Sequence, residues 1–203
     1  MLVLPGLAVS RYLEPTVAAL SRRGREVRLL SAPGAPGAEC DLRRYGETLA
    51  HGGDDVLVGV SVGCQAAAVA AASAAVGHLV LVSPTVDPRV RTGPALARAW
   101  LRGTTMEPPR LGLQQIPDWR RAGARRLRQV LRSALQVRLE DLLPQVDAPV
   151  TVVHGERDSI TSHSYAAMLA AAPGRQLVVV PGATHSWPYA DEERFADLLG
   201  TIR

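Results

Sequence analysis

Three short segments hold residues whose types could together do covalent chemistry. The first is Gly59-Val60-Ser61-Val62-Gly63, a G-x-S-x-G pentapeptide between an aliphatic run and an alanine-rich stretch. A serine carried through a sharp strand-to-helix turn needs small residues two positions to either side, because the backbones otherwise collide. Such a turn lifts the hydroxyl clear of the sheet. The helix that follows aims its free amides at the same spot, so the Val62 N–H can receive a developing oxyanion. A serine hydroxyl is a weak nucleophile until a base takes its proton, and the base needs an orienting acid. Two later segments offer them: His154-Gly155-Glu156-Arg157-Asp158 and Pro181-Gly182-Ala183-Thr184-His185. The order Ser61, Asp158, His185 is the one this strand–turn–helix architecture uses. Each residue falls just past the end of an expected strand, where parallel sheets build their sites. These three are the expected catalytic residues. A fourth segment, Pro5-Gly6-Leu7-Ala8, closes the first aliphatic run. Gly6 permits a tight backbone path, and the Leu7 N–H is the expected second oxyanion donor.

The elements that must position these residues are legible as alternation. Strands are expected at Leu2–Leu4, Glu26–Leu30, Val56–Gly59, Leu79–Val82, Val150–His154 and Leu177–Val180. Their continuous aliphatic character suits a parallel sheet covered on both faces. Helices are expected at Pro15–Arg23, Asp41–Ala50, Gly63–Val76, Ser162–Ala172 and Asp191–Leu199. Pro15 suits a first helical turn and Gly24 a C-terminal cap. This alternation predicts an α/β sandwich of about six mostly parallel strands with right-handed crossovers. The rhythm breaks between Thr85 and Asp147, where prolines are followed by one long helix from about Trp119 to Gln136. Leu127, Val130, Leu131, Ala134 and Leu135 recur there at helical spacing, and arginines fill much of the rest as a solvated face. The organisation expected is a core over residues 1–84, a helical cap over 85–147, and the rest of the core over 148–203.

The chain has 203 residues, enough for one domain with an insertion and a large core. Hydrophobic residues make up 47% and charged residues 21%, which excludes a disordered chain. All 23 basic residues are arginine, and there is no lysine or asparagine. That bias reads as a GC-rich coding background, and the net charge of +4 comes with no basic motif, so no nucleic-acid partner is expected. Two cysteines, Cys40 and Cys64, make no disulfide framework, and a reduced, cytoplasmic location is expected. The N-terminus lacks a basic region and does not read as a signal peptide. Val56 to Val86 is free of Asp, Glu and Arg, yet its glycines, serines and Gln65 divide it into strand, turn, helix and strand, so no membrane span is expected. No His/Cys/Asp cluster has metal-ligand spacing, and no phosphate or dinucleotide fingerprint is present, so neither metal nor cofactor is expected. Asp87-Pro88 reads as a turn, His154 as a packed histidine, and Cys64 as a packed thiol.

Taken together, LPGLAVSRYLEPTVAAL, GVSVG, HGERDSI and PGATHSWPY resemble the oxyanion loop and first helix, nucleophile elbow, acid loop and histidine loop of the α/β-hydrolase family. VLVSPTVDPRVR resembles the cap entrance of the subgroup that holds C–C-bond hydrolases of meta-cleavage products and unassigned biosynthetic-cluster hydrolases. The resemblance implies a cofactor-independent serine hydrolase acting on an ester, thioester or ketone-adjacent C–C bond of a small or medium acyl compound. The same acyl-enzyme would serve an acyltransferase or cyclase, and the fold also supports non-catalytic binding. Leu7, Ala8, Ser10, Val62 and Trp187 are the expected pocket residues. Two departures stand out. Pro5-Gly6 replaces the usual His-Gly, and Met1 falls inside a strand that two others normally precede. The latter implies a trimmed sheet or a start upstream.

Overall fold

Burial along each strand follows its place in one sheet. The structure, a computed structural model, describes residues 1–202. The strands are β1 (Leu2–Leu4), β2 (Arg28–Leu29), β3 (Val56–Val60), β4 (His78–Val82), β5 (Val150–Gly155) and β6 (Arg175–Val180). They form one six-stranded sheet in the order β2-β1-β3-β4-β5-β6, parallel throughout. The four interior strands are buried almost residue for residue, and the two edges, β2 and β6, are partly exposed. Across β1, β3 and β4 the aliphatic residues divide by type, leucine to one face and valine to the other, while in β5 Val150 and Val152 join the leucines. Leu2, Leu4, Leu57, Leu79 and Leu81 join one core cluster, and Val3, Val58, Val80, Val82 and Val153 join the other. This is the two-residue period of a strand with apolar neighbours on both faces.

Helices α1 (Glu14–Arg22) and α9 (Glu192–Gly200) pack against each other on the valine side, with the short α8 (Trp187–Ala190) beside α9, and Leu20, Phe195 and Leu199 are fully buried there. On the leucine side lie α2 (Leu42–Glu47), α3 (Gly63–Ser73), α6 (Leu139–Leu142) and α7 (His163–Ala170). Asp41 caps α2 by accepting from the Arg43 and Arg44 amides, and Ser162 caps α7 through Tyr165 N–H. Helix α3 is buried on all sides from Gly63 to Ala71, which explains its alanines: only small side chains fit between α2 and the sheet.

The segment between β4 and β5 differs from the expected single helix. It holds α4 (Gly93–Thr104), α5 (Pro109–Gln136) and α6. Thr92 caps α4 and Pro94 sits in its first turn, where a missing N–H costs nothing, so that proline starts a helix. Helix α5 begins ten residues before Trp119 and is broken at Gly123, whose φ of 77° is open to glycine. The arginine face also differs from expectation. Arg126 is partly buried and donates to the carbonyls of Gly34 (3.1 Å), Ala35 (2.9 Å) and Ala38. Its acceptors are backbone groups of a distant loop, which no side-chain pattern reveals.

The tightest approach in the fold lies where β3 becomes α3. A Cβ on Gly63 would stand 2.4 Å from Leu4 O and 2.6 Å from Pro5 O, and one on Gly59 would stand 2.5 Å from Cys64 Cα. These neighbours are backbone and cannot rotate away. Gly63→Ala should therefore destabilise the protein by several kcal/mol, beyond the ~1–3 kcal/mol of ordinary overpacking. Gly200→Ala, which meets nothing within 4 Å, should cost under about 1 kcal/mol. Urea unfolding of the two variants checks the contrast, and equal midpoints would contradict it.

Candidate active site

The close approach at Gly59 and Gly63 forces the turn between them. Ser61 holds a left-handed φ of 54°, a conformation that costs a non-glycine residue about 1–3 kcal/mol and persists because the surrounding backbone determines it. Ser61 N–H donates to Val82 O at 2.9 Å, which pins the turn to the end of β4. The Ser61 hydroxyl lies 2.9 Å from His185 Nε2. On the other side of the ring, Nδ1 lies 2.9 Å and 3.0 Å from the two Asp158 carboxylate oxygens. The three residues predicted from the sequence thus form one continuous chain of hydrogen bonds.

Asp158 is fully buried and is held by more than the histidine. Its Oδ1 accepts from Ile160 N–H at 2.8 Å and Thr161 N–H at 2.9 Å. Burial pushes its carboxyl up, but the His185 charge, the His185 hydrogen bond and the two amides together hold it below the usual carboxylate range. For His185, burial pushes the imidazole down, while Asp158 and then Glu107 favour the charged ring, and the result lies above the ordinary histidine value. The arrangement can therefore accept a proton from Ser61 and hold the resulting imidazolium beside a buried anion.

The loop after β1 faces the serine. A Cβ on Gly6 would lie 3.4 Å from Ser61 Cβ, so the two backbones run side by side there. Gly6 N–H donates to the Tyr12 hydroxyl at 3.2 Å, and Trp119 Nε1 donates to Leu7 O at 3.0 Å. Neither Leu7 N–H nor Val62 N–H donates to a protein acceptor among the described residues, and both residues line the cavity with Ser61. Two unspent amides beside the Ser61 hydroxyl can receive a negatively charged oxygen.

The cavity has a volume of about 720 Å³. Its floor is Gly6, Leu7, Ser61, Val62 and His185, and its walls come from α4 and α5, including Leu96, Trp100, Leu111, Trp119, Leu131 and Leu135. The apolar stripe of α5 divides: Leu127, Leu131, Ala134 and Leu135 line the cavity, while Val130 is fully buried against Gly34. Three of the expected pocket residues lie elsewhere. Ala8 turns its Cβ toward Gly34, with its N–H bonded to Pro33 O. Ser10 precedes a short 3-10 turn, its carbonyl accepting from Leu13 N–H. Trp187 is buried edge-on to Phe195, with ring centroids 5.1 Å apart, in the core on the valine side.

Three side chains set aside in the sequence also find their places. Asp87 is buried and accepts from Arg89 N–H, Ser162 N–H and the Ser162 hydroxyl, so it fastens the start of the insertion to the cap of α7. Cys64 donates its thiol to Gly59 O at 3.1 Å and Val82 O at 3.3 Å, and burial pushes that thiol up, away from the reactive thiolate. His154 is buried in β5 with its ring 5.6 Å from that of His163. Among the described residues no group of three or more His, Cys, Asp or Glu could hold a metal ion, and no helix is long and apolar enough to cross a membrane. One residue of the site carries no sequence pattern. Glu107, between α4 and α5, lines the cavity and accepts from Thr184 Oγ1 at 3.0 Å and Ser186 N–H at 2.9 Å.

Known structures share this whole arrangement of strands and helices. E-2-(acetamidomethylene)succinate hydrolase is 22% identical, with a TM-score of 0.78 over 100% of this chain and 90% of that one. An N-acyl homoserine lactone degrading enzyme is 17% identical, with a TM-score of 0.78 over 100% and 92%. An esterase from Rhodococcus sp. ECU1013 is 22% identical, with a TM-score of 0.67 over 99% and 89%. At these identities the likeness concerns the fold. No curated protein matches the chain. The pattern of the Alpha/beta hydrolase family, however, matches residues 1–198, nearly the full length, and the chain belongs to that family.

Proposed function

We propose that the protein is a cofactor-independent serine hydrolase that cleaves esters or thioesters of uncharged, medium-length acyl groups. The observation that carries this reading is the unbroken chain Ser61–His185–Asp158 opening into an apolar cavity. Ser61 Oγ attacks the carbonyl carbon while His185 Nε2 takes its proton. The tetrahedral oxyanion accepts from the Leu7 and Val62 amides. As it collapses, the imidazolium returns the proton to the leaving alcohol or thiol. Water, activated by the same imidazole, then releases the acid and frees Ser61. Asp158 keeps Nδ1–H in place and never needs to take a proton. The segment over residues 85–147 acts as the cap, and its apolar wall favours transfer of an alkyl chain out of water.

Three outcomes test the reading. Fluorophosphonate should label Ser61 alone, and Ser61→Ala should abolish both labelling and turnover of p-nitrophenyl esters. Asp158→Asn should lower kcat by roughly four orders of magnitude, as loss of the acid does in such triads, with Asp87→Asn mild. Reversed effects would move the acid to the end of β4.

The pH profile follows from the signs of the two shifts. His185 must be neutral to act, and its pKa lies above the ordinary value of about 6.5, so kcat/KM should fall as pH drops through a midpoint above that value. Asp158 has a depressed pKa, so its stabilising contribution is present above its unfolded value of about 3.9 and is lost only as pH falls below it. Activity lost near pH 6 should therefore return fully on readjustment. A midpoint below 6, or loss that accompanies unfolding, would contradict this.

The cavity wall sets acyl length. Leu131→Ala and Leu135→Ala should move the optimum of an ester series to longer chains by roughly one to three carbons, the space one truncated side chain leaves. An unchanged optimum in a stable variant would place the acyl chain elsewhere.

A further inference from the structure

The cavity wall contains one carboxylate among the described residues, Glu107, and no arginine. This is unusual for a chain with 23 arginines, nine of which fall between Arg98 and Arg132. Glu107 forms no ion pair among the described residues. Its two oxygens are instead spent on the two residues that flank the catalytic-site histidine: Oε2 accepts from Thr184 Oγ1 at 3.0 Å and Oε1 from Ser186 N–H at 2.9 Å. A side chain from the insertion thus clasps the His185 loop on both sides. Glu107 lines the same cavity as Ser61, His185 and Ser186.

On the serine hydrolase reading above, we infer that Glu107 is a positioning and specificity residue: it seats the His185 loop against the insertion and its charge excludes anionic acyl groups from the cavity. Two consequences follow. The first is positional. Thr184 and Ser186 flank the imidazole, so losing the Thr184 arm of the clasp moves the base relative to Ser61 while Glu107 and Ser186 keep their places in the cavity wall. The second is electrostatic. An acyl group ending in a carboxylate would enter a cavity that offers it a like charge and no guanidinium, whereas an alkyl group of the same length meets mostly apolar walls and carries no charge for Glu107 to repel. The substrate class that fits is an acyl group with no negative charge along its length. Succinyl-type acids, which need a cation in the pocket, do not fit.

The test uses a matched pair of p-nitrophenyl esters, pentanoate and the monoester of succinate, with Ser61→Ala run alongside. The wild type should favour pentanoate. Glu107→Gln keeps an acceptor for one of the two donors and removes the charge. It should move the ratio of kcat/KM values toward the succinate ester by about tenfold, the size expected for one partly screened charge in a shared cavity. Glu107→Asp keeps the charge and should keep the wild-type ratio. Thr184→Val removes one arm of the clasp and leaves the charge, so it should lower kcat for pentanoate several-fold with KM and the ratio unmoved. This variant tests the positional half even where a Glu107 variant does not fold. A ratio that Glu107→Gln leaves unchanged overturns the electrostatic half. A kcat that Thr184→Val leaves unchanged, whether or not KM moves, overturns the positional half. Ester turnover that survives Ser61→Ala overturns instead the hydrolase reading on which both rest.

Discussion

The site depends on a steric constraint between backbones. Where β3 turns into α3, the chain passes so close to the end of β1 that no side-chain carbon fits at Gly63, and the turn folds back on itself so tightly that none fits at Gly59. Between these contacts Ser61 has no room for an extended or helical φ and is held at 54°. That single constraint exposes the hydroxyl, brings Gly6 alongside it, and leaves the Val62 amide at the head of α3 without a carbonyl below it. The strain is sustained by the core beneath. Interior strands buried on both faces and an alanine helix packed flush on the sheet supply the stability that a left-handed serine consumes.

The other two members of the hydrogen-bonded chain are placed by simpler means. Asp158 and His185 follow β5 and β6, neighbouring strands whose ends lie at the same level of a parallel sheet. Arg157 N–H donates to Ala183 O at 2.8 Å, so the two loops are bonded to each other before any side chain is considered. The buried carboxylate is satisfied by two amides of its own loop, Ile160 and Thr161, and by the imidazole. Removing any one partner would leave a buried charge short of a donor, which is why so polar a cluster can exist beside an apolar cavity.

Much of this was legible in the sequence because punctuation and chemistry coincide. Ser61, Asp158 and His185 each follow an aliphatic run that ends in small residues, so strand ends and reactive groups mark one another. All six strands lie where the runs place them, and they differ at the edges by a residue or two, where β2 is shortened by exposure. The cavity was far less legible. Ala8, Ser10 and Trp187 neighbour Leu7 and His185 in sequence, yet the cavity wall is set by which way distant helices turn. Ala8 and Trp187 are instead claimed by packing against Gly34 and Phe195. The walls come from residues 93–135, whose proline-rich start concealed a helix and whose long helix concealed a break at Gly123. Glu107 sits between a threonine pair and a proline pair, and its partners lie 77 and 79 residues away. No local pattern encodes such a contact.

That same insertion, the least legible part of the chain, touches every loop that builds the site. Trp119 donates its indole N–H to Leu7 O in the loop after β1. Gln65, fully buried on the helix behind the serine, donates to Ala134 O at 2.7 Å and to Val137 O, the carbonyls at the end of α5. Ser159, next to the acid, donates to Ala99 O at 3.3 Å in α4. Glu107 accepts from both neighbours of the histidine. Each is one hydrogen bond or two, worth about 1 kcal/mol net apiece, too little to hold the core together and enough to bias a loop. The segment itself belongs to the core through Val130, Ala134, Leu139 and Leu143, and its polar ties bear on where the loops around Ser61, Asp158 and His185 stand. On the proposed hydrolase reading, an alkyl chain packed against Trp100, Leu131 and Leu135 would draw this segment onto the core through those walls, and the four polar ties would carry that packing to Ser61.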